Sequence, residues 1–140
     1  MIIAYSSYER KLLARIMRAE ALSDGNLGML MVGNVVINRA LVDCFTFKDV
    51  KTISSVIYQE SQFAGTESPL FLSYPTKKEL ELADKILKGK YYYPATNSLW
   101  FYAPKEGEYC SNTWYDQKLS GRYKSHCFYA PKSGDCREIR

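Results

Sequence analysis

The sequence predicts an α+β fold, in which a helical first half is followed by a small antiparallel, aromatic-rich sheet in the C-terminal part. Apolar residues recur at helical spacing as far as residue 88. Beyond residue 90, short aromatic runs alternate with Pro, Gly, Asn and Ser, a pattern that favours strands and turns. Twelve of the 20 aromatic residues lie between positions 91 and 129. Because 140 residues fit one domain, residues 1–140 are expected to form a single domain.

Two helices are predicted in the first third of the chain. From Tyr8 to about Ala21, apolar side chains form a stripe at helical spacing, and Glu20 extends the row of Leu12 and Ile16. A carboxyl group on the buried row of a basic helix is unusual. The second helix, Leu27 to Leu41, is apolar on nearly all sides and is therefore expected in the centre of the core.

Two shorter helices are predicted next. Thr52 is the expected cap of a third helix, whose inward face is formed by Ile53, Val56, Ile57 and Glu60. A fourth helix, Lys77 to Lys88, follows a capping box of Thr76 and Glu79. Its expected inward residues are Leu80, Ala83 and Leu87.

Residues 99–102 and 126–129 are the best strand candidates, and each leads into the same pentapeptide, Phe-Tyr-Ala-Pro-Lys. We interpret them as the two edges of a small antiparallel sheet, each ended by its proline. Residues 110–122 between them are expected to form a loop that holds Trp114 and Tyr115.

Composition and charge exclude several classes of protein. Hydrophobic residues make up 46% and charged residues 24%, as in globular rather than disordered chains. The net charge of +4 arises entirely in residues 88–140. Such a mild charge beside many aromatic rings suits sugars or anionic polymers, but it is low for a protein that binds a phosphate backbone. No apolar run has the roughly 18–20 residues of a membrane span.

The four cysteines, Cys44, Cys110, Cys127 and Cys136, have no metal-type spacing. Three of them lie in the C-terminal part, where one disulfide would fit an oxidising environment. A set of reduced, buried thiols is the default expectation.

Glu20 is the first candidate for chemistry. Burial beside apolar side chains raises the pKa of a carboxyl group, which allows a glutamate to act as a proton donor near neutral pH. The alternative is a glutamate at a helix end that turns to solvent or pairs with Arg15 or Arg18.

Amides and the single histidine form a second set of candidates. Asn34, Asn38 and Gln59 must find hydrogen-bond partners, either in the core or in a substrate. Sugar hydroxyl and N-acetyl groups are suitable partners, and neighbouring backbone is equally suitable. His126 in the second strand is either a functional imidazole or a half-buried strand residue without a role.

Five segments of the sequence together resemble one family. They are residues 13–21, 28–39, 52–59 with Phe63, 98–104 and 124–129. In this order, through about residues 10–130, the chain resembles the SleB/CwlJ-type cell-wall hydrolases, which degrade spore cortex peptidoglycan. The stretch Gly-Met-Leu-Met-Val-Gly-Asn and the run Lys-Ser-His-Cys-Phe are most similar to the CwlJ branch.

The resemblance implies a lysozyme-like, lytic-transglycosylase-like fold, with a single catalytic domain. Glu20 matches the family's catalytic glutamate. The resemblance also implies a set of substrate-binding residues that line the cleft: Asn38, Gln59, Phe63, Trp100, Tyr102 and His126. The aromatic-rich sheet is then expected to form one wall of a glycan cleft, facing the helices that supply Glu20.

The implied reaction is cleavage of the β-1,4 bond between N-acetylmuramic acid and N-acetylglucosamine during germination, as a lytic transglycosylase. Glu20 would protonate the leaving oxygen and then take the proton of the muramoyl C6 hydroxyl, which closes a 1,6-anhydro ring. An ordinary glycosidase uses two carboxyl groups about 5–10 Å apart. No second acid with a placement comparable to that of Glu20 stands out in the sequence, and Glu60 and Asp24 are the runners-up. Muramidase-type hydrolysis and a non-enzymatic glycan- or coat-binding module remain alternatives, and nucleic-acid binding is the weakest.

The N-terminal sequence carries no visible secretion signal. With the family parallel, this implies synthesis in the mother-cell cytoplasm and a final location at the boundary of spore coat and cortex. The implied partners are cortex glycan strands and a spore coat protein such as GerQ, without nucleic acid. No metal or other cofactor is expected, and activation by calcium dipicolinate is implied by the CwlJ branch alone.

Overall fold

Helices fill the first half and strands the second half of the computed structural model, which describes residues 3–59, 62–132 and 134–136. The helices are α1 (Ser7–Ala21), α2 (Gly25–Leu41), α3 (Ile53–Ile57), α4 (Pro69–Leu72) and α5 (Lys77–Leu87). The strands are β1 (Trp100–Tyr102), β2 (Thr113–Trp114), β3 (Gln117–Tyr123) and β4 (His126–Ala130). The predicted α+β class is confirmed.

Helix α2 lies in the centre of the core, as predicted, and α1 packs against it. A capping box starts α1, because the Ser6 side chain accepts from the Glu9 N–H and the Glu9 carboxylate accepts from the Ser6 N–H. Along α2, side chains on all faces are buried, so this helix has no side that needs polar residues. The row of Leu12 and Ile16 on α1 is fully buried against it.

The two shorter predicted helices are also present. Thr52 and Thr76 form capping boxes at the start of α3 and α5. The expected inward face of α5 needs a correction, because Leu82 and Ile86 are buried while Leu80 is only partly buried. Glu60, expected on the inward face of α3, lies outside the described residues.

The sheet has the strand order β1-β4-β3-β2, and every neighbouring pair is antiparallel. Strand β4 therefore lies inside the sheet, and the prediction that it forms an edge was wrong. The expectation of a loop over residues 110–122 was also wrong, since this range contains β2 and most of β3. A two-residue turn with positive φ at Tyr115 and Asp116 joins these strands, and it lacks the glycine or asparagine that usually marks such a turn.

The two faces of β1 have different surroundings because successive side chains in a strand point to opposite sides. Phe101 packs with Phe128 on the side of the helices. Trp100 and Tyr102 lie on the opposite side. There the sheet curls, so that Trp114 of β2 contacts Tyr102 at a ring distance of 4.8 Å.

All four cysteines form disulfides, Cys44 with Cys136 and Cys110 with Cys127. The default expectation of reduced thiols is thus corrected. The residues in each pair are 92 and 17 positions apart, and spacing alone does not show that the curled sheet brings them together. None of the helices in the described part of the chain has the length and apolar character of a membrane span.

Candidate active site

Glu20 lies in the last turn of α1, at the junction between this helix and the one-turn helix Ala64–Glu67. The backbone N–H of Gly65 donates to Glu20 Oε2 over 2.7 Å. A Cβ atom at position 65 would overlap this carboxylate oxygen. Glycine is thus the residue that allows the backbone to approach the carboxyl group this closely.

The surroundings of Glu20 favour its protonated form. Burial raises the pKa of this carboxyl group above its ordinary value of 4.5, and this effect outweighs the Gly65 hydrogen bond and the nearby His126, which both lower the pKa. The alternative in which Glu20 pairs with Arg15 or Arg18 is not what the structure shows. Those two guanidinium groups donate to backbone carbonyls of residues 70–74, and Arg18 also pairs with Glu79.

A buried Asp24–His126 pair lies beside Glu20. His126 Nδ1 is 2.7 Å from Asp24 Oδ2, and the two residues are only 7% and 4% exposed. The Ser125 hydroxyl donates to both oxygens of Asp24, over 2.7 and 2.8 Å. The aspartate therefore fixes the orientation of the imidazole ring, as a carboxylate does when it accepts a hydrogen bond from Nδ1–H.

Two tight turns bring this pair together. Asp24 ends the one-turn helix between α1 and α2, and Gly28 leaves space for it, because a Cβ at position 28 would overlap the Asp24 side chain. Lys124 and Ser125 form the two-residue turn between β3 and β4, with Lys124 at a φ of 47°. This turn places Ser125 and His126 directly against Asp24.

Aromatic rings connect His126 to Phe63. The Phe101 ring contacts the His126 ring edge-on at 5.3 Å and the Phe63 ring at 6.0 Å. Phe63 in turn precedes the helix that holds Gly65. Of the sequence-predicted residues, the structure therefore brings Glu20, Phe63 and His126 together.

Gln59 lies close to Phe63. Both residues line a cavity of about 440 Å³, with Tyr58, Thr66 and Glu67 also at its wall. The Gln59 side-chain oxygen is buried and has no hydrogen-bond partner among the described residues. An unsatisfied amide oxygen at a cavity wall is suited to accept from a hydroxyl or N–H group of a ligand.

Asn38 and Tyr102 do not lie in this cluster. Asn38 is 2% exposed, and its amide nitrogen donates to the carbonyls of Ala95, Thr96 and Ser98. It thus holds the segment before β1. Asn34 has a similar position, since its side chain bonds the backbone of Lys90 and Tyr92.

The expected arrangement of the aromatic wall needs a correction. Tyr102 stacks on Tyr129, and Trp100 packs against Phe47, on the side of the sheet away from His126. Phe101 and His126 instead lie on the face of the sheet that packs toward the helices. Sequence reasoning missed the positioning contacts of Gly65 and Ser125, and it considered Asp24 only as a second acid.

A family model described as cell wall hydrolase matches residues 23–129. The chain belongs to the cell wall hydrolase family, and it is of the CwlJ type. Proteins named cell wall hydrolase CwlJ from Oceanobacillus iheyensis and Halalkalibacterium halodurans are each 45% identical to it over 139 residues, which cover 99% of this chain and 97% and 96% of theirs. The CwlJ of Bacillus subtilis is 38% identical over 138 residues, with coverage of 99% and 96%.

No solved structure matches the chain. The family match of this cell wall hydrolase includes the Asp24–His126 pair and begins just after Glu20. The relatives align over nearly its whole length.

Proposed function

We propose that this cell wall hydrolase cleaves the β-1,4 bond between N-acetylmuramic acid and N-acetylglucosamine with Glu20 as its catalytic carboxyl group. The observation that carries the proposal is the environment of Glu20. Its pKa is raised by burial, so the group keeps its proton at a higher pH than an exposed glutamate does. A proton donor of this kind is what cleavage of a glycosidic bond requires.

The two carboxyl oxygens of Glu20 have different roles in this proposal. Gly65 holds Oε2, so Oε1 faces the glycosidic oxygen and delivers the proton to it. The C1–O bond then breaks and the electron pair leaves with the N-acetylglucosamine oxygen. Glu20, now a carboxylate, removes the proton of the muramoyl C6 hydroxyl, whose oxygen bonds to C1 and closes the 1,6-anhydro ring.

The position of Asp24 favours this one-carboxyl scheme over muramidase-type hydrolysis. A second catalytic carboxylate must face the sugar or a water molecule, whereas both oxygens of Asp24 accept from Ser125 and one is bonded to His126. Glu60, the other candidate for a second acid, lies outside the described residues. We infer that the enzyme is a lytic transglycosylase.

The substrate-binding part of the proposal concerns His126, Phe63 and Gln59. His126 is close enough to Glu20 to lower the pKa of its carboxyl group, and Phe63 and Gln59 line the adjoining cavity. We propose that the glycan strand binds along the path from Glu20 and His126 to Phe63 and Gln59. Trp100 lines a different cavity. Asn38 acts by holding the backbone before β1, and Tyr102 acts by packing against Tyr129.

The wider biological assignment rests on the family. We propose a lysozyme-like catalytic domain over residues 1–140 that degrades spore cortex peptidoglycan during germination. Its proposed location is the boundary of coat and cortex, with a coat protein such as GerQ as partner and calcium dipicolinate as activator. The CwlJ-type relatives support this assignment by family membership.

Mass spectrometry of the products formed from purified cortex fragments tests the proposed reaction. Wild-type protein is expected to release muropeptides that end in a 1,6-anhydro ring, and Glu20→Gln is expected to release none. Products with only reducing ends would establish hydrolysis instead. Binding of wild-type protein to cortex without any release of fragments would favour the glycan-binding module.

A further inference from the structure

A cavity of about 250 Å³ lies where the helical half meets the curled hairpin of β2 and β3. Its wall combines an arginine from α2 with aromatic and amide side chains from the sheet. Its lining residues include Arg39, Gln62, Trp100, Trp114, Tyr115 and Gln117. We call this cavity the Arg39 pocket.

Arg39 is a buried cation without a carboxylate partner among the described residues. It is 3% exposed, and its Nε donates to the Leu99 carbonyl over 2.6 Å. Its Nη1 donates to Gln62 Oε1 over 3.0 Å. Both acceptors are neutral, and the guanidinium also lies over the Phe47 ring, so no carboxylate of the described residues balances its charge. Burial lowers the pKa of Arg39 to about 9. The group is still protonated at neutral pH, so an anion that enters the pocket gains a strong charge-assisted interaction.

The rest of the pocket is suited to a sugar ring. Trp100, Trp114 and Tyr115 provide aromatic faces, and the Tyr115 ring is 5.3 Å from that of Trp114. The Gln117 side-chain oxygen is buried and has no hydrogen-bond partner among the described residues. It can accept from a sugar hydroxyl or an acetamido N–H. Aromatic walls with a few converging polar groups are typical of small-ligand sites.

The Arg39 pocket is close to Glu20. Gln62 lies three residues before Gly65, so their Cα atoms are at most about 11 Å apart. The Phe63 ring lies between them and contacts both the Arg39 guanidinium, at 4.9 Å, and Phe101. A glycan strand that reacts at Glu20 can therefore reach this pocket with a neighbouring sugar.

We propose that the Arg39 pocket is a sugar subsite that selects a carboxylate on the glycan, with Arg39 binding the carboxylate and Gln117 binding a hydroxyl or acetamido group. The proposal rests on the proposed function in that it takes peptidoglycan as the ligand. In this polymer the carboxylate has two sources, the free lactyl group of N-acetylmuramic acid and the peptide attached to that group. Both present the same chemistry to Arg39.

Ligand titrations followed by tryptophan fluorescence test this subsite. The chain has two tryptophans, and both Trp100 and Trp114 line the pocket, so their emission reports on its occupancy. The protein is Glu20→Gln, in which binding is measured without turnover. The ligands are N-acetylglucosamine without a carboxylate, N-acetylmuramic acid with a lactyl carboxylate, and muramyl dipeptide with a peptide carboxylate.

We expect at least one carboxylate ligand to bind about tenfold or more tightly than N-acetylglucosamine, and the tighter of the two identifies the source of the carboxylate. Adding Gln117→Glu is expected to abolish this preference, because a second carboxylate beside Arg39 neutralises it. Lys11→Gln makes the same change in net charge at an exposed position of α1 and is expected to keep the preference. Arg39→Lys retains the charge without the planar fork and is expected to weaken it.

Equal affinities for the three ligands would overturn the proposal, and so would an unchanged preference in Gln117→Glu. The outcome is separate from that of the proposed reaction. If Glu20→Gln still cleaved cortex at the wild-type rate, the catalytic assignment would fail while the titrations would still decide the subsite.

Discussion

A glutamate keeps its proton to a higher pH than usual only where its surroundings make the charged form costly. At Glu20, burial supplies this cost, and the single hydrogen bond from Gly65 is too weak to offset it. The Gly65 contact instead fixes the direction of the carboxyl group. Burial therefore retains the proton, and the hydrogen bond from Gly65 orients the carboxyl group that carries it.

The pH dependence of activity should reflect this raised pKa. The first step requires protonated Glu20, so kcat/KM is expected to fall as the pH rises through the pKa of this group. That falling limb should lie above 4.5, the ordinary value. A pH profile of fragment release from cortex measures it. A falling limb centred at or below 4.5 would contradict the raised pKa.

The same shift predicts an effect on stability. Because the folded-state pKa of Glu20 is raised, this group stabilises the fold below its unfolded pKa, and that contribution is lost as the pH rises through the folded pKa. Glu20→Gln should therefore have a Tm higher than wild type by up to a few degrees at pH 7, with a smaller difference below pH 4. Thermal unfolding at the two pH values measures this, and a lower Tm at pH 7 would argue against an unfavourable buried charge.

At the scale of elements, the Asp24–His126 pair joins the α1–α2 turn to the β3–β4 turn. The helical half and the sheet meet through this contact, which lies directly beside the catalytic acid. A strand residue from the far end of the chain is thus held in a fixed orientation by a residue four positions after Glu20.

Asp24→Asn should lower activity about tenfold or more, because the amide no longer fixes the imidazole in one orientation and protonation state. Ser125→Ala is the matched control, since it removes another partner of Asp24 and leaves the His126 bond in place. Both variants are compared by kcat for cortex and by far-UV circular dichroism. An equal effect of the two variants on kcat would show that the pair is structural only.

The helices were more predictable than the sheet, for physical reasons. The apolar spacing of α1 and α2 and the capping boxes of α3 and α5 are local signals, and the structure follows them. Strand β3 has the sequence Gln-Lys-Leu-Ser-Gly-Arg-Tyr, which has little strand propensity. Its pairing with β4 decides its conformation, and this pairing is not visible in the local sequence.

The candidate site was predictable only in part for a similar reason. Glu20 breaks the pattern of its own helix, so it could be identified from local sequence. The role of Asp24 depends on His126, which is 102 positions away. Gly65 is important because the Glu20 carboxyl group approaches its backbone closely. The positions of Trp100 and Tyr102 depend on which face of β1 points to the helices, and a three-residue strand carries no pattern that decides this.

At the scale of the whole molecule, the two disulfides tie the sheet to distant parts of the chain. Cys110–Cys127 joins β4, next to His126, to the segment before β2, and Cys44–Cys136 joins the segment after α2 to the C-terminal segment. The helices need no such link, because α1, α2 and α5 share one buried core. The sheet contributes to smaller hydrophobic clusters. The disulfides compensate for the smaller amount of apolar surface buried there.

Replacing both Cys110 and Cys127 by serine should lower the free energy of unfolding by about 3 kcal/mol, the value expected when a closed loop of this size is opened. The residues of the pair are 17 positions apart. Urea unfolding with and without reductant measures the change, and reductant should have a smaller effect on the double variant. Four reactive thiols in the folded, untreated protein would contradict the cross-links.

The proposed role of Glu20 is to supply the proton for cleavage of the glycan. Its most direct measurement is the rate at which wild-type and Glu20→Gln proteins release soluble fragments from purified cortex, with folding of both checked by thermal unfolding. We expect Glu20→Gln to fold normally and to lose activity by about a thousandfold or more, since general acid catalysis contributes factors of roughly 10²–10⁴. A folded Glu20→Gln protein that released fragments at the wild-type rate would contradict this role.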